Sequence, residues 1–174
     1  MDQPLVLQEG WHGYGCFFSK YPEVAANETR SLIVFNRKDI PHGEYGFLEY
    51  YCDDLNCDCH RVLIRVAPAQ EPEKILATIN YGWQSKEFYE QRSLDNNSGT
   101  LKGPFLDPLN PQSKYAPILL ELFKHIIKDH KYVDRLQRHY EMFKNINSAH
   151  KRVLKIVDFR KTKNIVKWNK SWEE

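Results

Sequence analysis

Between residues 30 and 90 apolar and polar positions alternate in short runs, and from residue 113 onward they recur every three to four positions. That change of period divides the chain into a strand-rich part and a helical part. "RSLIVFN" (30–36) is a β-branched and aromatic run closed by the turn-rich "RKDIPHGEYG", which predicts a strand and then a loop. "GFLEYYC" (46–52) and "HRVLIRVA" (60–67) alternate with period two, with Leu63, Arg65 and Ala67 on one face and Val62, Ile64 and Val66 on the other. They read as two arms of a hairpin. "ILATINYGW" (75–83) has a third strand signature, so the middle of the chain predicts an antiparallel meander.

Residues 92–112 are dense in turn formers and lack any period, which predicts a surface loop serving as a tether from sheet to helices or as a lid. Helical spacing then sets in. Ala116, Leu119, Leu120, Phe123, Ile126 and Ile127 fall on one stripe, with Ser113 as the expected N-cap and Pro117 tolerated near the first turn. A second stripe, Val133, Leu136, Tyr140 and Phe143, predicts a helix from about Tyr132, with Asp134 and Arg138 as an i, i+4 pair facing solvent. The short "KDHK" link makes the two an antiparallel helical hairpin. "RVLKIVDF" (152–159) and "NIVKWN" (164–169) are β-rich runs around a "RKTK" turn.

The expected fold is therefore α+β: an antiparallel β-meander packed against a C-terminal helical hairpin, with a terminal β-hairpin. It reads as one domain over 1–174, strand-rich at 30–90, a loop at 92–112, helices at 113–146 and a basic β tail at 150–170.

Composition fits this picture. With 174 residues, 41% hydrophobic and 13% aromatic, the chain can bury a single core without metal or disulfides. No run reaches the length of a membrane span, and the start "MDQPLVLQEGWHG" has neither the basic nor the apolar region of a signal peptide. The expected setting is cytoplasmic, with no membrane partner. The net charge of +2 is unevenly spread, −6 over 1–60, +3 over 61–144 and +5 over 145–174. A basic C-terminus of that size suits an acidic partner or nucleic acid, and it suits a solvated face equally well.

Three of the four cysteines stand within eight positions in "YYCDDLNCDCHRV" (50–62), in the spacing C-x4-C-x-C-H. If 46–52 and 60–67 pair, Cys52, Cys57 and Cys59 converge at the hairpin tip. A reducing compartment keeps thiols free for metal or chemistry, and zinc prefers thiolates in a tetrahedron, so zinc is the expected occupant, in a closed structural site. The alternatives are a pair of redox or sensing thiols and three thiols without a role. Cys16, flanked by aromatics in "GYGCFFSK", reads as a small core residue.

Zinc needs a fourth ligand. His60 follows Cys59 directly, but alternation along an extended strand would turn it away from a metal that Cys59 faces. His139 on the second helix is the alternative, and would staple sheet to helices; His12, His42, His125 and His130 are further histidines, and Asp53, Asp54 or Asp58 could supply an oxygen.

Other chemistry is thinly marked. "HGYG" and "PHGEYG" lack the strand-to-helix setting of a phosphate loop, and there is neither a G-x-S-x-G elbow nor H-E-x-x-H. No catalytic or cofactor-binding residue can be named. Trp168 and Trp172 with Lys163, Lys167 and Lys170 interleave aromatic and basic groups as single-stranded nucleic-acid sites do, although lysines on an edge strand have the same look.

Taken together, "FLEYYCDDLNCDCHRVLIRV" and "SKYAPILLELFKHIIKDHKYVDRLQRHYEMFK" resemble uncharacterised bacterial proteins that pair a Cys-rich hairpin with a later helical segment, some of them associated with SEC-C zinc motifs. The resemblance covers about residues 45–145 and implies a metal-binding cytosolic protein without naming an activity. This chain departs from the SEC-C pattern in having no cysteine after Cys59, so a SecA-type partner does not carry over. The expectation is a zinc-stabilised interaction module with an unidentified macromolecular partner. A metal- or thiol-dependent hydrolase or redox enzyme, and a weak nucleic-acid binder acting through the tail, are the alternatives.

Overall fold

The computed structural model describes residues 13–54, 56–92 and 102–144, together with the backbone of 165–168. Its frame is β3 (Gly43–Cys52), seven of whose ten residues are buried because neighbours cover both of its faces. The meander expected from alternation is present. β2 (Arg30–Val34), β3, β4 (Arg61–Pro68) and β5 (Ala77–Gly82) pair antiparallel in sequence order. The sheet order is completed by β6 (Phe105–Leu106) beside β5 and β7 (Ile165–Trp168) beside β2.

One edge of β3 is shared by two partners. β2 lies along it from Gly43 to Phe47, and β1 (Tyr14–Cys16) lies along it from Tyr50 to Cys52. Leu48 and Glu49 fall between the two. There the chain leaves the sheet as two short helices, α1 (Phe17–Lys20) and α2 (Pro22–Glu28), which carry Glu28 across to the helical layer. None of β1, α1 and α2 is marked by a period in the sequence, because three to seven residues are too few to show one.

The helical hairpin is α4 (Ala116–Ile126) and α5 (His130–Lys144). It packs on the face of the sheet that carries Phe47 and Tyr51: Phe123 stacks on Phe47 at 6.1 Å and meets Tyr81 edge-on at 5.7 Å, while Tyr51 meets Phe143 at 5.6 Å. The buried stripe differs in detail from the expected one. Leu122, Tyr132 and His139 are buried, whereas Leu120, Ile127 and Val133 are half-exposed.

The helix starts also differ. Ser113 is not the cap of α4; Tyr115 is, and the Ser113 hydroxyl accepts the Tyr115 N–H at 3.1 Å one turn earlier. α5 begins two residues before Tyr132, because the Asp129 carboxylate accepts the Lys131 N–H at 3.1 Å and supplies the cap. Arg138 is turned to Glu28 rather than to Asp134.

The expected loop 92–112 is fastened to the sheet in its described half. β6 adds to the β5 edge, and Gln112 straps the following segment down by donating to the Thr78 carbonyl and accepting the Thr78 N–H. Of the terminal β-hairpin, 164–169 contributes β7, which runs parallel to β2; 152–159 lies outside the described residues. A short helix, α3 (Lys86–Glu90), follows β5.

Candidate metal centre

β3 and β4 pair from Tyr45 with Pro68 to Tyr50 with Leu63, and beyond that register the chain must turn back over residues 53–60. Asp54 makes the turn. Its carboxylate accepts the Asn56 N–H at 2.9 Å and its carbonyl accepts the Cys57 N–H at 3.1 Å. The turn folds Cys57 back beside Cys52, and Cys59 joins them. The three sulfurs all lie within 4.8 Å of one another, each half-buried, in the separation a single ion bonded to all three needs.

Two elements press on this tip. β1 holds it from one side, since the Asp53 N–H donates to the Gly13 carbonyl at 2.7 Å. Gly15 is required for that approach: a Cβ there would stand 2.7 Å from the Phe143 ring and 2.5 Å from the Asp53 carboxylate. The last turn of α5 holds it from the other side. Lys144 Nζ donates to the Asp54 carbonyl at 2.6 Å and the Tyr140 hydroxyl points to the Cys57 carbonyl at 3.5 Å. Sheet and helices are thus joined at the tip through backbone carbonyls. Tyr140 was legible only as a core position, and nothing in the sequence marks Lys144.

The electrostatics of the tip oppose ionisation of these thiols. Burial first, then the neighbouring Cys57 and Cys52 thiols, push the Cys59 thiol up to about 12. Burial also raises Cys52, against the pull of the Asp54 backbone and of Lys144. Three thiolates so close repel one another, and a divalent ion reverses that cost by neutralising them together. The donor set is soft sulfur in a half-buried turn, the kind of set that takes a transition-metal ion.

His60 lies apart from this group. Its backbone is left-handed, with φ of 48°, so it does not continue β4 and strand alternation does not govern it. Its carbonyl accepts the Tyr89 hydroxyl at 2.7 Å, its Nδ1 meets the Gln84 amide at 3.0 Å and its Nε2 pairs with Asp58. The ring sits among Phe88 at 5.2 Å, Tyr140 at 5.3 Å and Trp83 at 6.3 Å. It serves as the hub on which α3 and α5 close beneath the tip.

His139 belongs to another cluster. It is fully buried and stacks on Phe17 at 4.2 Å, with Nδ1 at 2.6 Å from Glu49 and Nε2 at 3.1 Å from Glu28. Tyr51 donates to the same Glu49 oxygen at 2.8 Å, and Arg135 and Arg138 flank Glu28. The carboxylates suggested as oxygen donors are engaged as well: Asp53 with Lys20, Asp54 with Asn56, and Asp58 with His60 and Arg92. His42 lies on a surface hollow beside Lys114, His130 is exposed at the start of α5, and His12 is outside the described residues.

Cys16 is buried in the core, as its aromatic neighbours imply. All four thiols are free. Of the tail residues with nucleic-acid character, only the backbone of Lys167 and Trp168 is described. No described helix is long and apolar enough to cross a membrane. Comparisons of the chain with protein-family models, with curated proteins and with solved structures found no match. The chemistry of the site therefore stands on its own geometry: three cysteines close enough together that they could hold a metal ion.

Proposed function

We propose that Cys52, Cys57 and Cys59 hold a structural zinc ion, and that the domain so stabilised is a cytoplasmic binding module for a macromolecular partner. The observation that carries the reading is the convergence of the three sulfurs within 4.8 Å on a turn already shaped by Asp54. A turn that gathers its ligands in advance lowers the ordering cost of the site. Three thiolates outweigh the charge of a divalent ion, so a water bound to it would be acidified weakly, which favours a structural over a hydrolytic role. His60 is the nearest histidine in sequence to complete the tetrahedron, and it would first have to leave Asp58. A reducing compartment keeps such thiols available for metal.

Protein purified without added zinc is expected to carry about one equivalent, with the three tip thiols protected from titration until a chelator is added. Less than about half an equivalent, with all thiols titrating freely in the native state, would sink the zinc reading. In metal-loaded protein, replacing the zinc by cobalt reads out the fourth ligand, because a His60→Ala change alters the visible spectrum only if that imidazole is bound.

A further inference from the structure

The face of the sheet turned away from α4 and α5 carries a cavity of about 480 Å³, a size typical of sites for small organic ligands. Its floor is made by Tyr50 of β3 and by Leu63 and Arg65 of β4, its wall by Tyr14 of β1, and its rim by the segment after β6. Leu109, at that rim, is 79% exposed, the large apolar side chain most open to water among the described residues. An exposed leucine beside two tyrosines and a second leucine offers a platform for an apolar body.

The polar groups decide what the body must carry. Asp107 is committed to building the rim: its oxygens accept the Leu109 N–H at 3.0 Å, the Asn110 amide at 2.7 Å and the Asn80 amide at 3.3 Å. Asn80 is committed too, since its carbonyl oxygen accepts from Arg61 at 2.6 Å. Arg65 differs. Its guanidinium lies over the Tyr50 ring at 4.6 Å and interacts with the Tyr50 hydroxyl, and among the described residues no carboxylate pairs with it. A planar guanidinium supported on an aromatic ring is preorganised to take a carboxylate by two parallel hydrogen bonds. With one cation on the floor and Asp107 on the rim, a monoanion fits and a dianion does not.

We propose that this cavity binds a small amphipathic monocarboxylate, its carboxylate on Arg65 and its apolar body against Tyr14, Leu63 and Leu109. The site lies across the sheet from the helices, and its Tyr14 wall adjoins the tip, since Tyr14 pairs with Cys52.

The test is titration of the full chain with 3-phenylpropanoate, 3-phenylpropanamide and phenyl phosphate, by calorimetry and by amide chemical shifts. Saturable binding of the carboxylate is expected, with shifts at residues 63, 80 and 109, and affinity lower by about tenfold or more for the amide and for phenyl phosphate. Arg65→Gln is expected to weaken the carboxylate by about tenfold or more. Leu109→Asp, at an exposed position that does not bear on folding, is expected to weaken it as well. Equal affinity for carboxylate and amide, preference for phenyl phosphate, wild-type binding by both variants, or no saturable binding at all would overturn the proposal. Metal content is read separately on the same preparations, so loss of carboxylate binding in protein that carries its metal overturns this proposal alone, and a low metal content with carboxylate binding intact overturns the zinc reading alone.

Discussion

At the middle of β3, Glu49 faces a histidine that meets a carboxylate at each ring nitrogen; at the end of the same strand, Cys52 faces two more thiols. The first cluster is made of groups that complete one another. Its acids come from β3 and α2 and its base from α5, and Tyr51 and the two arginines fill further valences, leaving Glu49 Oε1 without a partner among the described residues. The second cluster is made of like groups that oppose one another as they ionise. The difference lies in whether the side chains around a group are complementary to it, as around His139, or like it, as around Cys52.

The largest way to break this comparison is to remove His139. Glu49 has its side chain almost wholly buried, and one of its oxygens, Oε1, has no hydrogen-bond partner among the described residues. Deleting the base leaves an uncompensated buried acid, so His139→Leu is expected to cost about 3 to 5 kcal/mol in urea unfolding. Metal content should not change. The double change His139→Leu with Glu49→Gln should recover part of the loss, since the charge that made it costly is gone. A metal content that fell with His139→Leu in still-folded protein would return that histidine to the thiol site.

A smaller change separates the tip from the rest. Lys144 donates to the Asp54 carbonyl at 2.6 Å, across 90 residues of sequence. Lys144→Met keeps the length of the side chain and removes the donor, at an expected cost of about 1.5 kcal/mol. The loss should be local. Amides of the tip, residues 53–59, should exchange faster with solvent while those of β4 and β5 keep their protection; uniform loss across the sheet would mean that the tip is not a separate unit.

These contacts also show what the sequence could reveal. Alternation marked β3, β4 and β5 and put the cysteines at a hairpin tip, because strand period and turn residues are local signals. The change to helical spacing marked α4 and α5 for the same reason. Partnership is not local: Glu28 and Glu49 reach His139 over 111 and 90 residues, and no spacing rule connects them. His60 was misjudged in its path rather than its place, since alternation assumes extended backbone and its φ is 48°. β6 was hidden because two residues of strand amid prolines and glycines carry no period.

The smallest effect lies at the other end of α5, where Asp129 pairs with Arg30 of β2 at 2.9 Å. Burial opposes the charge on Asp129, yet hydrogen bonding and attraction from Arg30 outweigh it and hold the carboxyl below the usual range. A carboxylate with a depressed folded pKa adds stability above the unfolded value, about 3.9, and loses it as pH falls through the folded one. Because the Asp129 side chain is 46% exposed, solvent screens the pair, and about 0.5 kcal/mol is expected rather than the value of a buried bridge. Asn caps a helix as well as Asp, so Asp129→Asn removes the charge and leaves the start of α5 in place. Urea unfolding of wild type and variant should therefore differ at pH 7 and converge toward pH 3. A difference that stays constant with pH would assign the contribution to the cap instead of the ion pair, and would make this end of α5, unlike the His139 cluster, a matter of hydrogen bonds more than of charge.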